Sequence, residues 1–279
     1  MNNINERAVL VLGATGKTGS RVAARLSRQG AGVRTASRHD SDVRFDWDDP
    51  TTYAPALDGV KAVYLVAAVM RMDYAGIVSD FLDQAERAGI GHITYLSAYG
   101  MQHAPPELAI RAVELNLMSR SALTHSIIRP AWFMQNFSET FLVPINDTIV
   151  VPNGTGAEAF VDVQDIASVA AATLADPATH AGATYAPTGP EALTITQTAE
   201  VMSTAVGRTI TYTAVDQDTW IDAMIVAGVP HDYTMMLRLL TSTVASGNGS
   251  RPNDDVLTVT GRPPISFVDF AAQAAPVWK

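Results

Sequence analysis

Gly13, Gly16 and Gly19 recur at three-residue spacing behind an apolar run, Ala8 to Leu12, and ahead of a segment with helical periodicity in Val22, Ala23 and Leu26. Strand, glycine turn and helix in that order form an anion-binding device of the dinucleotide kind. Each glycine has its own task. Gly13 lets the chain reverse at the strand end, Gly16 lets a pyrophosphate approach bare backbone, and Gly19 lets the helix lie close to the sheet. The free N–H groups and dipole of the helix start then favour the anion by about 0.3–1 kcal/mol, somewhat more when partly buried. Gly16-Lys17-Thr18 also matches the tail of a triphosphate-binding loop. That motif needs a glycine five positions before Gly16, and Val11 stands there, inside the strand. The turn from Gly13 to Gly16 is too short to wrap a triphosphate. A glycine turn without a ligand is the plain alternative, and the later strand ends weigh against it.

The elements that must position such a site follow in order. Val33 to Arg38 reads as a second strand. A carboxylate at its end would bond the adenosine ribose of NAD, whereas an arginine there accommodates the extra phosphate of NADP. The sequence offers Ser37 and Arg38, with Arg34 further back, and Asp40 comes too late. A charge-assisted Arg–phosphate pair discriminates strongly, so the cofactor expected is NADP(H). Val43 to Pro50 is a short third strand entering an acidic turn, with Asp46 and Trp47 placed to flank an adenine and Asp48 or Asp49 placed to cap the next helix. Ala62 to Ala68 is a continuous apolar strand whose end, Ala67 to Met70, is small enough to leave room for ribose and nicotinamide. Helical periodicity over 73–88, a strand at 92–98 ending in Ser97, Ala98 and Tyr99, a helix over 106–123 and a strand at 126–130 complete the alternation. Strand and helix alternating in this way predict an α/β fold, a Rossmann-type doubly wound parallel sheet. Ligands collect beyond the carboxyl ends of its strands, and Gly13, Arg38, Asp46, Ala67, Ser97 and Ala131 all fall there.

Beyond residue 146 the pattern loosens. The expectation is an NADP-binding domain over 1–146 and a smaller C-terminal α/β substrate lobe over 147–279, with the chain able to cross between them. A strand is expected near Val150, a strand end at Phe160 to Asp162, and one long helical stretch from Asp218 to Ser246. A net charge of −9 argues against a nucleic-acid partner. The chain has no cysteine, which excludes thiol catalysis and disulfides, and its scattered His and carboxylates lack metal-ligand spacing. A polar N-terminus without a signal-type apolar core, and a longest apolar run too short for a bilayer, point to a cytoplasmic protein without a membrane partner, as monomer or homodimer.

These residues together resemble the NmrA-like branch of the atypical short-chain dehydrogenase/reductases. Carrying the resemblance are Gly13-Ala-Thr-Gly-Lys-Thr-Gly19, Ala36-Ser-Arg38, Phe45-Asp-Trp47, Leu96-Ser-Ala98 and the run from Arg129 to Phe137. Within that branch, Trp132 to Glu139, Gly189 to Thr194, Val244 to Gly247 and Phe267 to Phe270 are similar to the festuclavine/agroclavine dehydrogenases of ergot alkaloid assembly. The resemblance implies that Gly13, Thr15, Gly16, Lys17 and Thr18 hold the pyrophosphate and that Ser37 and Arg38 hold the 2′-phosphate. It places Asp46 and Trp47 beside adenine, Ala67, Ala68 and Val69 beside the ribose, and Ser97, Ala98, Tyr99, Pro130, Ala131, Trp132 and Phe133 around the nicotinamide. It also implies reduction of a small organic molecule. NmrA itself is a nucleotide-sensing regulator, which keeps a non-catalytic NADP(H) sensor open as the alternative.

Typical short-chain dehydrogenases pair Tyr with Lys four residues on, the Lys lowering the Tyr pKa for proton donation. The only lysines here are Lys17, Lys61 and Lys279, and Arg111, near the usual Lys position, has Glu107 rather than a tyrosine four residues before it. Alcohol chemistry is therefore disfavoured. An iminium or a quinone, which needs little acid catalysis, suits the chain better, and positioning would supply most of the rate. Tyr99 is the first choice for a side-chain donor and His103 the second, against a pocket wall and a solvated loop histidine. Met70, Trp132, Phe133, Asn136, Phe137 and Phe160 are the candidates to line a largely apolar substrate site, against ordinary core packing. The expectation is an NADPH-dependent oxidoreductase acting on a small apolar conjugated acceptor.

Overall fold

The structure, a computed structural model, describes residues 8–68 and 70–279. These fall into two compact units. The first contains β1 (Ala8–Leu12), α1 (Lys17–Arg28), β2 (Val33–Ser37), β3 (Val43–Arg44), α2 (Tyr53–Leu57), β4 (Val60–Leu65), α3 (Ala75–Arg87), β5 (His92–Leu96), α4 (Ala109–Ser119) and β6 (Thr124–Ile128). The chain then contributes α5 (Asn136–Glu139), β7 (Thr148–Val151) and β8 (Ala157–Glu158) to the second unit. It returns to the first for α6 (Val163–Ala175), α7 (Pro177–His180) and β9 (Thr184–Tyr185). The rest belongs to the second unit: β10 (Leu193–Thr194), α8 (Ile195–Val206), β11 (Thr211–Ala214), α9 (Gln217–Val226), α10 (His231–Ala245), α11 (Asp255–Thr260) and α12 (Phe267–Trp278). No described helix is long and apolar enough to cross a membrane.

The first unit is a seven-stranded sheet in the order β3-β2-β1-β4-β5-β6-β9, parallel at every pairing. The order reverses between β1 and β4, which creates the crevice where doubly wound sheets take their ligands. β1 is central and carries Val9 to Leu12 fully buried, as a strand covered on both faces must be. Expected and observed bounds differ mostly at strand ends: β4 stops at Leu65, so Ala67 and Ala68 lie in the loop beyond it.

The units do not divide at residue 146. Residues 131–162 pack within the second, while 163–186 return to the first. The reason is burial. Ile166, Ala167, Val169, Ala170 and Ala171 of α6 are all fully buried, a helix too apolar to lie in solvent, and β9 adds Thr184 and Tyr185 to the edge of β6. The second unit is more helical than expected. It has only two-stranded sheets, β10 antiparallel to β8 and β11 parallel to β7, around a core that includes Phe137, Phe160, Phe267, Trp220 and Trp278. The single helix expected over 218–246 is two, because Gly228 takes φ +87° and Pro230 follows.

A histidine is folded into the sheet. His92 is 1% exposed, with Nδ1 2.9 Å from Thr124 Oγ1 and Nε2 3.3 Å from the hydroxyls of Thr94 and Ser126. Burial, then His125 and His180, push its pKa down to about 4. The neutral ring fits the fold, whereas the unfolded chain takes up a proton below the ordinary value. Stability is therefore intact above about pH 6.5 and falls toward pH 4, by about 3 kcal/mol from this group. Urea denaturation of the wild type and His92→Gln across that window should show the wild type losing the larger share. Parallel curves would rule this out.

Candidate functional site

The glycine turn is built by close approach. Gly13 takes φ +62°, and Gly16 N–H donates to Gly13 O at 2.8 Å. A Cβ on Gly19 would lie 2.2 Å from Gly13 O and 3.0 Å from Leu12 O, so α1 presses directly on the end of β1. Gly16 caps α1 without a side-chain hydrogen bond, and no acidic residue occupies the first turn. Ser20 N–H, to Gly16 O at 3.1 Å, donates the first bond of the helix, so the N–H groups of Thr18 and Gly19 have no intrahelical acceptor, as at any helix start. A Cβ on Gly16 would crowd Gly13 O at 3.2 Å. Bare backbone, uncapped donors and no competing carboxylate fit a pyrophosphate. Thr15 is exposed and Thr18 is buried, which leaves Thr18 its backbone N–H as its means of contact.

At the end of β2 the two expected phosphate contacts separate. Ser37 is 8% exposed, and its hydroxyl donates to His39 O while its N–H donates to Ser41 Oγ at 2.9 Å. Arg38 is exposed and enters no ion pair or hydrogen bond among the described residues. Arg38 is thus the unpaired cation at this strand end, whereas the Ser37 hydroxyl has its proton engaged. Beyond β3, Asp46 accepts from Asp48 N–H at 3.2 Å and pairs with Arg44 at 3.5 Å. Trp47 stands edge-on to Phe45 at 4.9 Å and to Phe81 at 5.4 Å, and Tyr53 Oη donates to its carbonyl at 2.8 Å. Asp49 is the helix cap, accepting from Thr51 N–H. After β4, Ala67 and Ala68 pack partly buried against the core, and Val69 lies outside the described residues. Met70 is 41% exposed with φ +61°, an uncommon conformation for a long side chain.

Beyond β5 and β6 the structure shows a buried charge cluster that the sequence reading missed. Glu114 of α4 is fully buried. Its Oε1 accepts from Ser97 Oγ at 2.5 Å and Arg129 Nε at 2.8 Å; its Oε2 accepts from Arg129 Nη2 at 2.8 Å and Arg111 Nη1 at 2.6 Å. Burial alone would raise its pKa, but the donors Arg129, Ser97 and Arg111 prevail and hold it below the ordinary carboxylate value. The signal was present: Glu114 sits in the stripe Ala109, Val113, Leu117 that α4 turns to the core, and a carboxylate there needs a cation. Tyr99 is half-buried, its N–H donates to Pro130 O at 3.0 Å, and its hydroxyl has no partner among the described residues. His103 is exposed, in the turn Met101–His103. In the first unit, then, the glycine turn, Arg38, Asp46, Ala67, Ser97 to Tyr99 and Pro130 all lie just past carboxyl ends of parallel strands.

Of the residues expected to line a substrate site, Trp132, Phe133, Asn136, Phe137 and Phe160 lie in the second unit, and two of them are core. Phe137 and Phe160 are 0% and 1% exposed, with ring centroids 5.1 Å apart, and Phe137 lies 5.1 Å from Phe267. Both are core side chains, withdrawn from contact with a ligand. Ala131 is buried, and Trp132, Phe133 and Asn136 are partly exposed. Trp132 stands edge-on to Phe141 at 5.8 Å, and Asn136 Oδ1 accepts from Thr140 Oγ1 at 3.1 Å.

Comparison with known proteins bears on this arrangement. Residues 13–177 match the NAD(P)H-binding family. The chain is 33% identical to an uncharacterized oxidoreductase, YesF, of Bacillus subtilis over 99% of its own length and 98% of the relative's. It is 31% identical to festuclavine dehydrogenase of Aspergillus fumigatus, over 97% and 98% of the two chains. The fold is similar to that of an NADPH-dependent quinone oxidoreductase of Escherichia coli in complex with NADPH, with a TM-score of 0.75 at 21% identity, covering 95% and 99% of the chains.

Gly19→Ala tests the close approach on which the turn depends. With backbone carbonyls 2.2 and 3.0 Å from the new methyl, the helix must shift, which should cost about 1–3 kcal/mol in chemical denaturation. Nucleotide affinity should fall with it; unchanged stability and affinity would mean that the contact is dispensable.

Proposed function

Because the chain belongs to the NAD(P)H-binding family, we propose that it is an NADPH-dependent reductase of a small, largely apolar, conjugated acceptor of the C=N or quinone type. The observation that carries this reading is the pairing of an uncapped glycine turn with the free Arg38, at strand ends of one parallel sheet. The turn's amides hold the pyrophosphate, Arg38 holds the 2′-phosphate, and Trp47 with its aromatic neighbours borders the adenine. When bound, the reduced nicotinamide supplies a hydride.

What the side chains leave undone narrows the acceptor. Ser97 has its one proton committed to Glu114, and Arg111 is paired to the same carboxylate. Four residues after Tyr99 stands His103, not the lysine that would activate a tyrosine in the typical pair. A ketone accepting hydride develops a full alkoxide and needs an acid. An iminium is neutralised by hydride, and a quinone gives a delocalised anion that water protonates.

Purified protein and NADPH, followed at the nicotinamide absorbance with a panel of quinones and cyclic imines, test the proposal. Oxidation that depends on an acceptor is the expected result. Tight binding of both redox forms without turnover on any acceptor would replace the reductase with a nucleotide sensor. Arg38→Ala should weaken NADPH about ten- to a hundredfold while leaving NADH nearly unchanged, since a charge-assisted phosphate contact contributes about 1.5–3 kcal/mol. Equal losses by calorimetry would remove the case for NADPH.

A further inference from the structure

The cluster around Glu114 joins three elements of the first unit. Ser97 lies just past β5, Arg129 just past β6, and Glu114 with Arg111 on α4. Four donors converge on two carboxylate oxygens, which saturates them. The backbone repeats the tie: Ser97 N–H donates to Ile128 O at 2.7 Å and Tyr99 N–H to Pro130 O at 3.0 Å. Arg129 Nη1 extends it to Gln102 Oε1 at 3.2 Å, in the segment that carries His103.

A purely structural role explains this poorly. Well-packed apolar side chains stabilise a core as well as a buried ion pair does, because desolvation offsets most of the attraction. The cluster does two things that apolar packing cannot. It locks two adjacent strand ends at fixed spacing by bonds with direction, and it orients the Ser97 hydroxyl. With its proton donated to Glu114 at 2.5 Å, Ser97 Oγ has only lone pairs left to offer. An oxygen that can only accept suits an amide N–H donor such as the carboxamide of a nicotinamide.

We propose that Glu114 is the positioning residue for the nicotinamide end of the cofactor: it fixes Ser97 as a hydrogen-bond acceptor and holds the ends of β5 and β6 in one frame. This rests on the reading of the chain as an NADPH-dependent reductase. Glu114 touches no reacting atom; it acts through Ser97 and Arg129.

The test separates the two ends of the cofactor. Adenosine 2′,5′-bisphosphate carries the adenine and the 2′-phosphate but no nicotinamide, so it reports on the glycine turn, Arg38 and the surroundings of the adenine. In folded Glu114→Gln, its affinity by calorimetry should stay within about twofold of wild type, while NADPH loses about fivefold or more. The fluorescence of bound NADPH should move toward that of the free coenzyme. With a quinone acceptor kcat should fall about tenfold or more with KM little changed, and Glu114→Asp should recover part of the loss. A variant that binds both molecules as wild type does, with unchanged fluorescence and kcat, overturns the proposal. So does one that loses both affinities equally, because that is a general structural defect. Should Glu114→Gln fail to fold, Glu114→Asp and Arg111→Gln, the latter at a side chain 18% exposed, carry the same comparison. If the wild type binds NADPH but turns over none of the acceptors, the reductase reading falls by itself. The binding ratio and fluorescence still decide the role of Glu114.

Discussion

The structure depends on one contact, the first turn of α1 lying against the last carbonyls of β1. Only hydrogen at Gly19 allows it, since a methyl would meet Gly13 O at 2.2 Å. That approach aims the helix start at the space above the strand end and leaves its amides without intrahelical partners. The rest of the first unit holds this arrangement still. β1 is central and buried, β2 and β4 flank it in parallel register, and the reversal of strand order opens the crevice that the amides face. A helix start alone is a weak anion site; the sheet adds a second group, the exposed Arg38, just past the next strand end.

The legible part of this was the local part. Glycine spacing and strand periodicity are each written within a few positions, and the strands and the turn they predict stand within a few residues of the expected places. Legibility failed where a decision rests on residues far apart in sequence. Phe137 and Phe160 read as pocket aromatics, yet Phe267, more than a hundred residues on, closes over Phe137 and makes both of them core. The return of α6 to the first unit follows from its burial all round, a property visible in the sequence only as an unusually apolar helix. Ser37 looked like a phosphate ligand by position, but its hydroxyl is taken by the turn that Asp40, at φ +54°, helps to make.

Glu114 shows how such a residue escapes notice and how it could be found. A search for the Tyr-and-Lys pair of related dehydrogenases scans α4 for residues that are absent and passes over the one that is present. The stronger question is why a carboxylate stands in an apolar stripe. Burying it unpaired would cost several kcal/mol, so its presence demands cations, and Arg111 and Arg129 are within reach on the helix and on the strand end. Two arginines on one carboxylate leave the cluster with an excess of one positive charge. The excess bears on the chemistry proposed above. Positive charge fixed near the ends of β5 and β6 favours an acceptor on which negative charge develops and opposes one that arrives already cationic.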